Sequence, residues 1–121
     1  NQQWYWAAAQ VAFFENKPQE AINFLKKAVD LCPDSSLSHY YLALSYKMTK
    51  QDKLAIEEFK KTIVLKYARP SVYLNLIECY RNLGQFSEII PFYQKLINLQ
   101  GDKPEFHLGL AQAYIKLGKL D

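Results

Sequence analysis

Between Asp52 and Lys66 the chain sets Leu54, Ala55, Ile56, Phe59, Ile63 and Val64 at helical spacing, with Glu57, Glu58, Lys60 and Lys61 between them. Apolar residues that recur every three or four positions mark one face of an α-helix. The first set is therefore expected to turn inward and the four charged residues outward. Glu57 and Lys61 stand four apart with the acid first, an order that supports a helix by about 0.3 kcal/mol. The stretch before it, 36–49, has a different texture. Leu37, Tyr40, Tyr41, Leu44 and Met48 mix with Leu42, Ala43 and Tyr46, so apolar residues occupy more than one face. A helix with neighbours on several sides reads this way.

This pair of helices is not unique in the chain. A shift of 34 residues brings Leu42 onto Leu76 and Leu110, and Tyr46 onto Tyr80 and Tyr114. Ala21 falls on Ala55, and Leu31 on Leu65 and Leu99. Tyr5, His39, Tyr73 and His107 share one further slot. A fixed period of this length signals stacked copies of one supersecondary unit. Three complete units follow, at about 2–35, 36–69 and 70–103, with the first helix of a fourth at 104–121, which makes seven helices in one array. The array reads as an excerpt of a longer one.

Proline and glycine punctuate the same frame. Pro18 opens a second helix, and Pro70 and Pro104 open first helices, where a missing N–H costs nothing. Gly84 and Gly118 stand just past first helices, where a left-handed residue closes the turn. Asn16 can take that conformation cheaply. Lys50 is less suited to it, so its turn is expected to differ.

A helix–turn–helix period of 34 with His39, Leu42, Ala43, Tyr46, Ala55 and Phe59 in one unit resembles the tetratricopeptide repeat. Tyr5, Ala9, Ala21, Leu25, Ala28 and Pro33 carry the pattern in the first unit, and His107, Leu110, Ala111 and Tyr114 in the fourth. The resemblance covers nearly the whole chain. It implies an all-α fold, a right-handed α-α superhelix of antiparallel helix pairs. It also implies a protein-interaction scaffold and not an enzyme. Unit three departs from the pattern. Ile77 and Ile89 take the slots of Ala43 and Ala55, which predicts a wider helix pair there. Pro91 lies about one turn into that unit's second helix and is expected to kink or delay it.

Composition agrees with a packed helical domain and narrows the chemistry. Half of the residues are apolar and 15% aromatic, which separates the chain from disordered segments. The net charge of +3 comes without a concentrated basic stripe, so no nucleic-acid partner is expected. Lys26–Lys27 and Lys60–Lys61 recur one period apart, and a solubilising surface explains them. No run of 18 apolar residues is present, so membrane insertion is not expected. Cys32 and Cys79 are too few for a disulfide framework and read as small, buried or half-buried thiols. With no leader pattern visible either, the segment favours the cytoplasm.

His39 and His107 fit one packing slot. Two repeats would hold them about 20 Å apart, too far to converge on a metal. Glu57, Glu58 and Asp52 read as a solvated face and a turn. No phosphate loop, catalytic triad or metal-ligand spacing is present, so no catalytic residue, cofactor or metal is expected.

The resemblance implies that first helices line a concave groove. Helical spacing then assigns Gln3, Trp6, Gln10, Phe13 and Phe14 to the first wall, and Leu37, Tyr40, Tyr41, Leu44, Lys47 and Met48 to the second. Ser71, Leu74, Asn75, Glu78, Arg81 and Asn82 form the third, and Glu105, Leu108, Gln112 and Ile115 the last. The core of the expected peptide site is Trp6, Gln10, Phe13, Tyr40, Tyr41, Leu44, Leu74, Asn75 and Glu78. Its aromatic half suits an extended peptide or an amphipathic helix. Two readings compete: Phe13 and Phe14 pack internally, or flanking repeats cover Trp4 and Trp6. Some members of the family grip a chaperone's C-terminal carboxylate with Lys, Arg and Asn. The matching places here hold Trp6, Gln10, Tyr41, Ser71 and Asn75, so that clamp is not expected. Self-association through uncapped Leu108, Ile115 and Leu120, and service as the recognition arm of a larger enzyme, stand as alternative functions.

Overall fold

The computed structural model describes residues 1–118. Leu120 lies outside the described residues. The elements are α1 (Gln2–Phe14), α2 (Pro18–Leu31), α3 (Ser36–Met48), α4 (Asp52–Val64) and α5 (Pro70–Asn82). A short 3-10 helix (Phe86–Glu88), α6 (Ile89–Gln100) and α7 (Pro104–Lys116) complete them. The described residues hold seven α-helices and no strand. The four first helices begin at residues 2, 36, 70 and 104, in step with the sequence period.

The starts and stops have local causes. Pro18, Pro70 and Pro104 each occupy the opening turn of a helix. Ser35 caps α3, its Oγ accepting from the Ser38 amide at 3.3 Å. Asn16, Lys50, Gly84 and Gly118 all have positive φ, between 59° and 72°. These four positions are one period apart. Lys50 was expected to give a different turn, and it does not. Its amide donates to the Lys47 carbonyl and the Gln51 amide to that of Tyr46, so two closing hydrogen bonds hold a lysine in a glycine conformation. Lys66 does the same after α4, at φ 71°.

The helices fall into two compact units, Asn1–Tyr67 and Ala68 onward. In the first, α1 packs on α2, α2 on α3, and α3 on α4. Ala9 with Ala21, and Ala43 with Ala55, are closed to solvent in their two hairpins; small side chains there let backbones approach. Ile22, Leu25, Leu42 and Phe59 fill the space around them.

In the second unit α5 packs on α6, and α6 on α7. Ile77 and Ile89 are both buried, and this hairpin is packed more sparsely than the other two. The helix that carries Pro91 starts late, as the sequence predicts. The stretch matching the starts of α2 and α4 is a 3-10 turn, and α6 begins only at Ile89. Proline at the third position of α6 gives up no bond there, but it would lose one in a helix that began a turn earlier.

Candidate functional site

Three lines of side chains radiate from α1. Ala9 and Ala12 are buried. Trp6, Gln10 and Phe13 are half-buried on a second line, and Trp4, Ala7, Val11 and Phe14 are exposed on a third. The second line meets α3. Trp6 stands edge-on to Tyr41 with ring centroids 6.4 Å apart, and Phe13 stands edge-on to the same Tyr41 at 5.3 Å. Tyr40 continues the chain of rings, 5.7 Å from Tyr41, 6.0 Å from Phe59 and 5.5 Å from Tyr67. Edge-to-face geometry at these distances is attractive, by about 0.5–1.5 kcal/mol per pair.

The cluster therefore has a buried root at Phe59 and a half-exposed crown of Trp6, Phe13, Tyr40 and Tyr41. Leu44, one turn beyond Tyr40, is half-buried. Beside Trp6 lies a recess of ≈ 230 Å³ bordered by Gln2, Gln3, Ser35 and Leu37. Gln10 Nε2 is enclosed without a hydrogen-bond partner among the described residues. Tyr67 is a member that sequence reasoning missed. Its slot holds Pro33 and Gly101 one period away, so no recurrence marks it.

Phe14 was expected in the groove wall. It is 73% exposed, and its ring stands edge-on to Phe13 at 5.4 Å. One residue on a helix is about 100° of rotation, which carries Phe14 away from the line of Trp6 and Phe13.

The second unit carries the remaining expected residues on α5. Leu74 and Glu78 are exposed, and Asn75 donates from Nδ2 to the Ser71 carbonyl at 2.8 Å, within its own helix. A recess of ≈ 290 Å³ in this unit is lined by Arg81, Phe86, Gln112, Ile115 and Lys116. Arg81 donates to Tyr93 Oη at 2.8 Å. Leu108 and Ile115 on α7 are each 61% exposed.

On α4 three expectations are corrected. Glu58 does not face solvent: its Oε1 lies 2.6 Å from His39 Nδ1 and its Oε2 accepts from Lys61 at 3.0 Å. Lys61 thus pairs with Glu58, three residues away, and not with Glu57. Leu54 and Val64 are exposed, at 41% and 75%. The buried arc of α4 runs through Ala55, Glu58, Phe59 and Thr62, a spacing of three and four that includes one acidic position and excludes two apolar ones. His39 is fully engaged, its Nε2 donating to the Pro33 carbonyl at 2.7 Å. His107 departs from the shared packing slot. It is exposed on α7 and 3.3 Å from Asp102. Its slot needs a covering helix, and the packing of α7 is mainly on α6 and the 3-10 turn.

Cys79 is buried and Cys32 half-buried, both as thiols, in line with their reading as small packing residues. Among the described residues no three His, Cys, Asp or Glu side chains gather into a metal-binding group. No helix of the described residues is long and apolar enough to cross a membrane.

Family profiles described as tetratricopeptide repeat match residues 3–35 and 71–102. A comparison with curated protein sequences finds none that match. Among solved structures, the chain is similar to a crystal structure of MamA protein, with TM-score 0.87 and 24% identity over 98% of this chain. It spans 65% of that MamA chain. It is also similar to the first TPR of Spaghetti (RPAP3), bound to the HSP90 peptide SRMEEVD, with TM-score 0.77 and 18% identity over 97% of this chain and 95% of that one. A third is YrrB, described as a TPR protein with an unusual peptide-binding site, with TM-score 0.81 and 19% identity over 94% of this chain and 59% of that one. At these identities the likeness is one of fold: an all-α solenoid of helical hairpins.

Proposed function

Because the chain belongs to the tetratricopeptide repeat family, whose members generally serve as non-enzymatic scaffolds for protein interaction, we propose that it binds a peptide segment of a partner protein on the aromatic crown of its first unit. One observation carries this reading. Trp6, Phe13, Tyr40 and Tyr41 form a continuous ring cluster that is only half-buried, on a face shared by α1 and α3. Large aromatic side chains fixed by one another pay little entropy on binding and commonly dominate binding energy. Leu44 extends the apolar surface, and rotation of the unpartnered Gln10 amide would offer a peptide carbonyl a donor. Leu74, Asn75 and Glu78, on α5 of the second unit, would offer ligand contacts of that unit by itself.

The groove would not be a carboxylate clamp. Trp6 and Gln10 supply no cation on the first wall, and the Asn75 amide is already engaged with Ser71. Among the neighbours, RPAP3 holds an acidic HSP90 peptide; the ligand of this chain would instead be apolar and aromatic.

Selection of peptides from a random library on the folded chain, followed by calorimetry, tests the reading. Trp6→Ala with Tyr41→Ala should weaken the selected peptide at least tenfold, about 1.4 kcal/mol, with helical circular dichroism retained. The peptide SRMEEVD should not compete. Undiminished binding by the double variant, or competition by SRMEEVD, refutes it.

A further inference from the structure

Two cations converge on the recess of ≈ 290 Å³ in the second unit. Arg81 reaches it from the last turn of α5 and Lys116 from the last turn of α7, and Phe86, Gln112 and Ile115 share its lining. No carboxylate of the described residues lies within ion-pair distance of either cation. Glu78 and Glu88, the acids next along α5 and the 3-10 turn, are exposed and pair with neither. A cation in a last helical turn complements the helix dipole, which accounts for each residue singly. It does not account for two helices presenting their cations to one recess.

The repeat itself does not require them. Two periods earlier the slots of Arg81, Gln112 and Lys116 hold Phe13, Leu44 and Met48, so an apolar set fits the same fold. Arg81 is also held in place. Its Nη2 donates at 2.8 Å to Tyr93 Oη, and Tyr93 is buried on α6. One edge of the guanidinium is anchored in this way, which leaves its other N–H groups for a ligand. Phe86 is half-buried and Ile115 is 61% exposed, so the recess has apolar surface beside its charge.

We propose that this recess binds a phosphorylated side chain of a partner peptide, phosphotyrosine in preference to phosphoserine. The phosphate would be held by Arg81, Lys116 and the Gln112 amide, and the ring would lie against Phe86 and Ile115. A phosphate monoester carries a charge of about −1.5 to −2 and three acceptor oxygens, which matches two cations and an amide donor. A carboxylate would leave one cation unmatched. The guanidinium fork suits phosphate geometry, and the lysine adds a point charge. This site belongs to the second unit alone and does not depend on the aromatic crown of the first.

Titration of the chain 1–121 with N-acetyl-phosphotyrosine amide, followed by nuclear magnetic resonance, tests this. N-acetyl-phosphoserine amide, N-acetyl-tyrosine amide and N-acetyl-glutamate amide are the comparison probes. The phosphotyrosine probe should bind saturably, shift the signals of Arg81, Phe86, Gln112, Ile115 and Lys116, and outbind each of the others about tenfold. Lys116→Gln should weaken it about tenfold, the loss of one charge-assisted hydrogen bond, with the melting temperature unchanged. Arg81→Lys keeps the charge but not the fork, and should weaken it as well. Lys95→Gln removes the same charge from α6 and should leave the affinity unchanged. Equal binding of the glutamate or phosphoserine probe, equal losses in Lys116→Gln and Lys95→Gln, or no saturable binding overturns the proposal.

Discussion

The Nδ1 atom of His39 lies 2.6 Å from Oε1 of Glu58, tying α3 to α4 through two side chains that are 7% and 10% exposed. The Pro33 carbonyl accepts from the other ring nitrogen, and Lys61 completes the carboxylate at 3.0 Å. One period earlier and later, the same two slots hold Tyr5 with Phe24 and Tyr73 with Phe92. The rings of the latter pair are 5.9 Å apart. A polar pair in the second repeat thus stands where its neighbours place aromatic ones.

Glu58→Ala should cost about 2–3 kcal/mol, because it strands a buried imidazole without its acceptor. His39→Tyr combined with Glu58→Phe should recover most of that loss, since the neighbouring repeats already accommodate two rings there. Urea denaturation of His39→Tyr, Glu58→Phe and their combination measures the coupling, with Glu58→Ala as the reference for the stranded imidazole. A double variant no more stable than Glu58→Ala would show that the slots are not interchangeable.

A second close contact governs the other unit. A Cβ on Gly109 would overlap Tyr93 Oη and Cζ. Gly109→Ala must therefore push the Tyr93 ring aside and strain its bond from Arg81. The expected cost is about 1–3 kcal/mol, against the gain of several tenths that alanine ordinarily brings to a helix interior. Thermal melts of Gly109→Ala, alone and with Tyr93→Leu, check this; relief by the second change identifies the clash.

The helix starts were legible because proline and the 34-residue recurrence both mark them, and the small-residue slots because Ala9, Ala21, Ala43 and Ala55 repeat. Glu58 was not legible. Hydropathy places a carboxylate outside, and only a partner on another helix reverses that. The same limit hid Tyr67, which reaches Tyr40 from a connecting segment with no periodic counterpart. Spacing placed Trp6 with Phe13 on one first helix and Tyr40 with Tyr41 on the next, and only the resemblance implied that first helices share a surface; their rings lie side by side. Phe14 was misplaced by a single step of helical rotation.

Lys50 is held at φ 64° in a turn that glycine occupies at residues 84 and 118. Left-handed backbone is costly for a residue with a Cβ. Lys50→Gly should stabilise the first unit by about 0.5–1 kcal/mol despite the greater freedom of its unfolded chain. Lys50→Val should destabilise it further, β-branching being least tolerant of positive φ. Denaturation midpoints in the order Gly, Lys, Val confirm the strain, and any other order removes it.

Pro91 and Ile89 offer rival causes for the late start of α6, and substitution separates them. Proline at the third helical position forbids the hydrogen bond that residue 91 would make to the Ser87 carbonyl if the helix ran from Phe86. Ile89, in a slot where α2 and α4 carry alanine, could equally hold the opening turn away from α5 through its bulk. Pro91→Ala should convert Phe86–Glu88 from 3-10 to α-helix, lengthening α6 by almost one turn, and carbon chemical shifts of residues 86–91 would register it. Ile89→Ala with Pro91 retained should leave the 3-10 turn in place, since the missing amide is untouched, while costing stability through the cavity it opens in the α5–α6 pair. If the alanine at 89 restores the helix instead, side-chain volume and not the proline sets the start of α6.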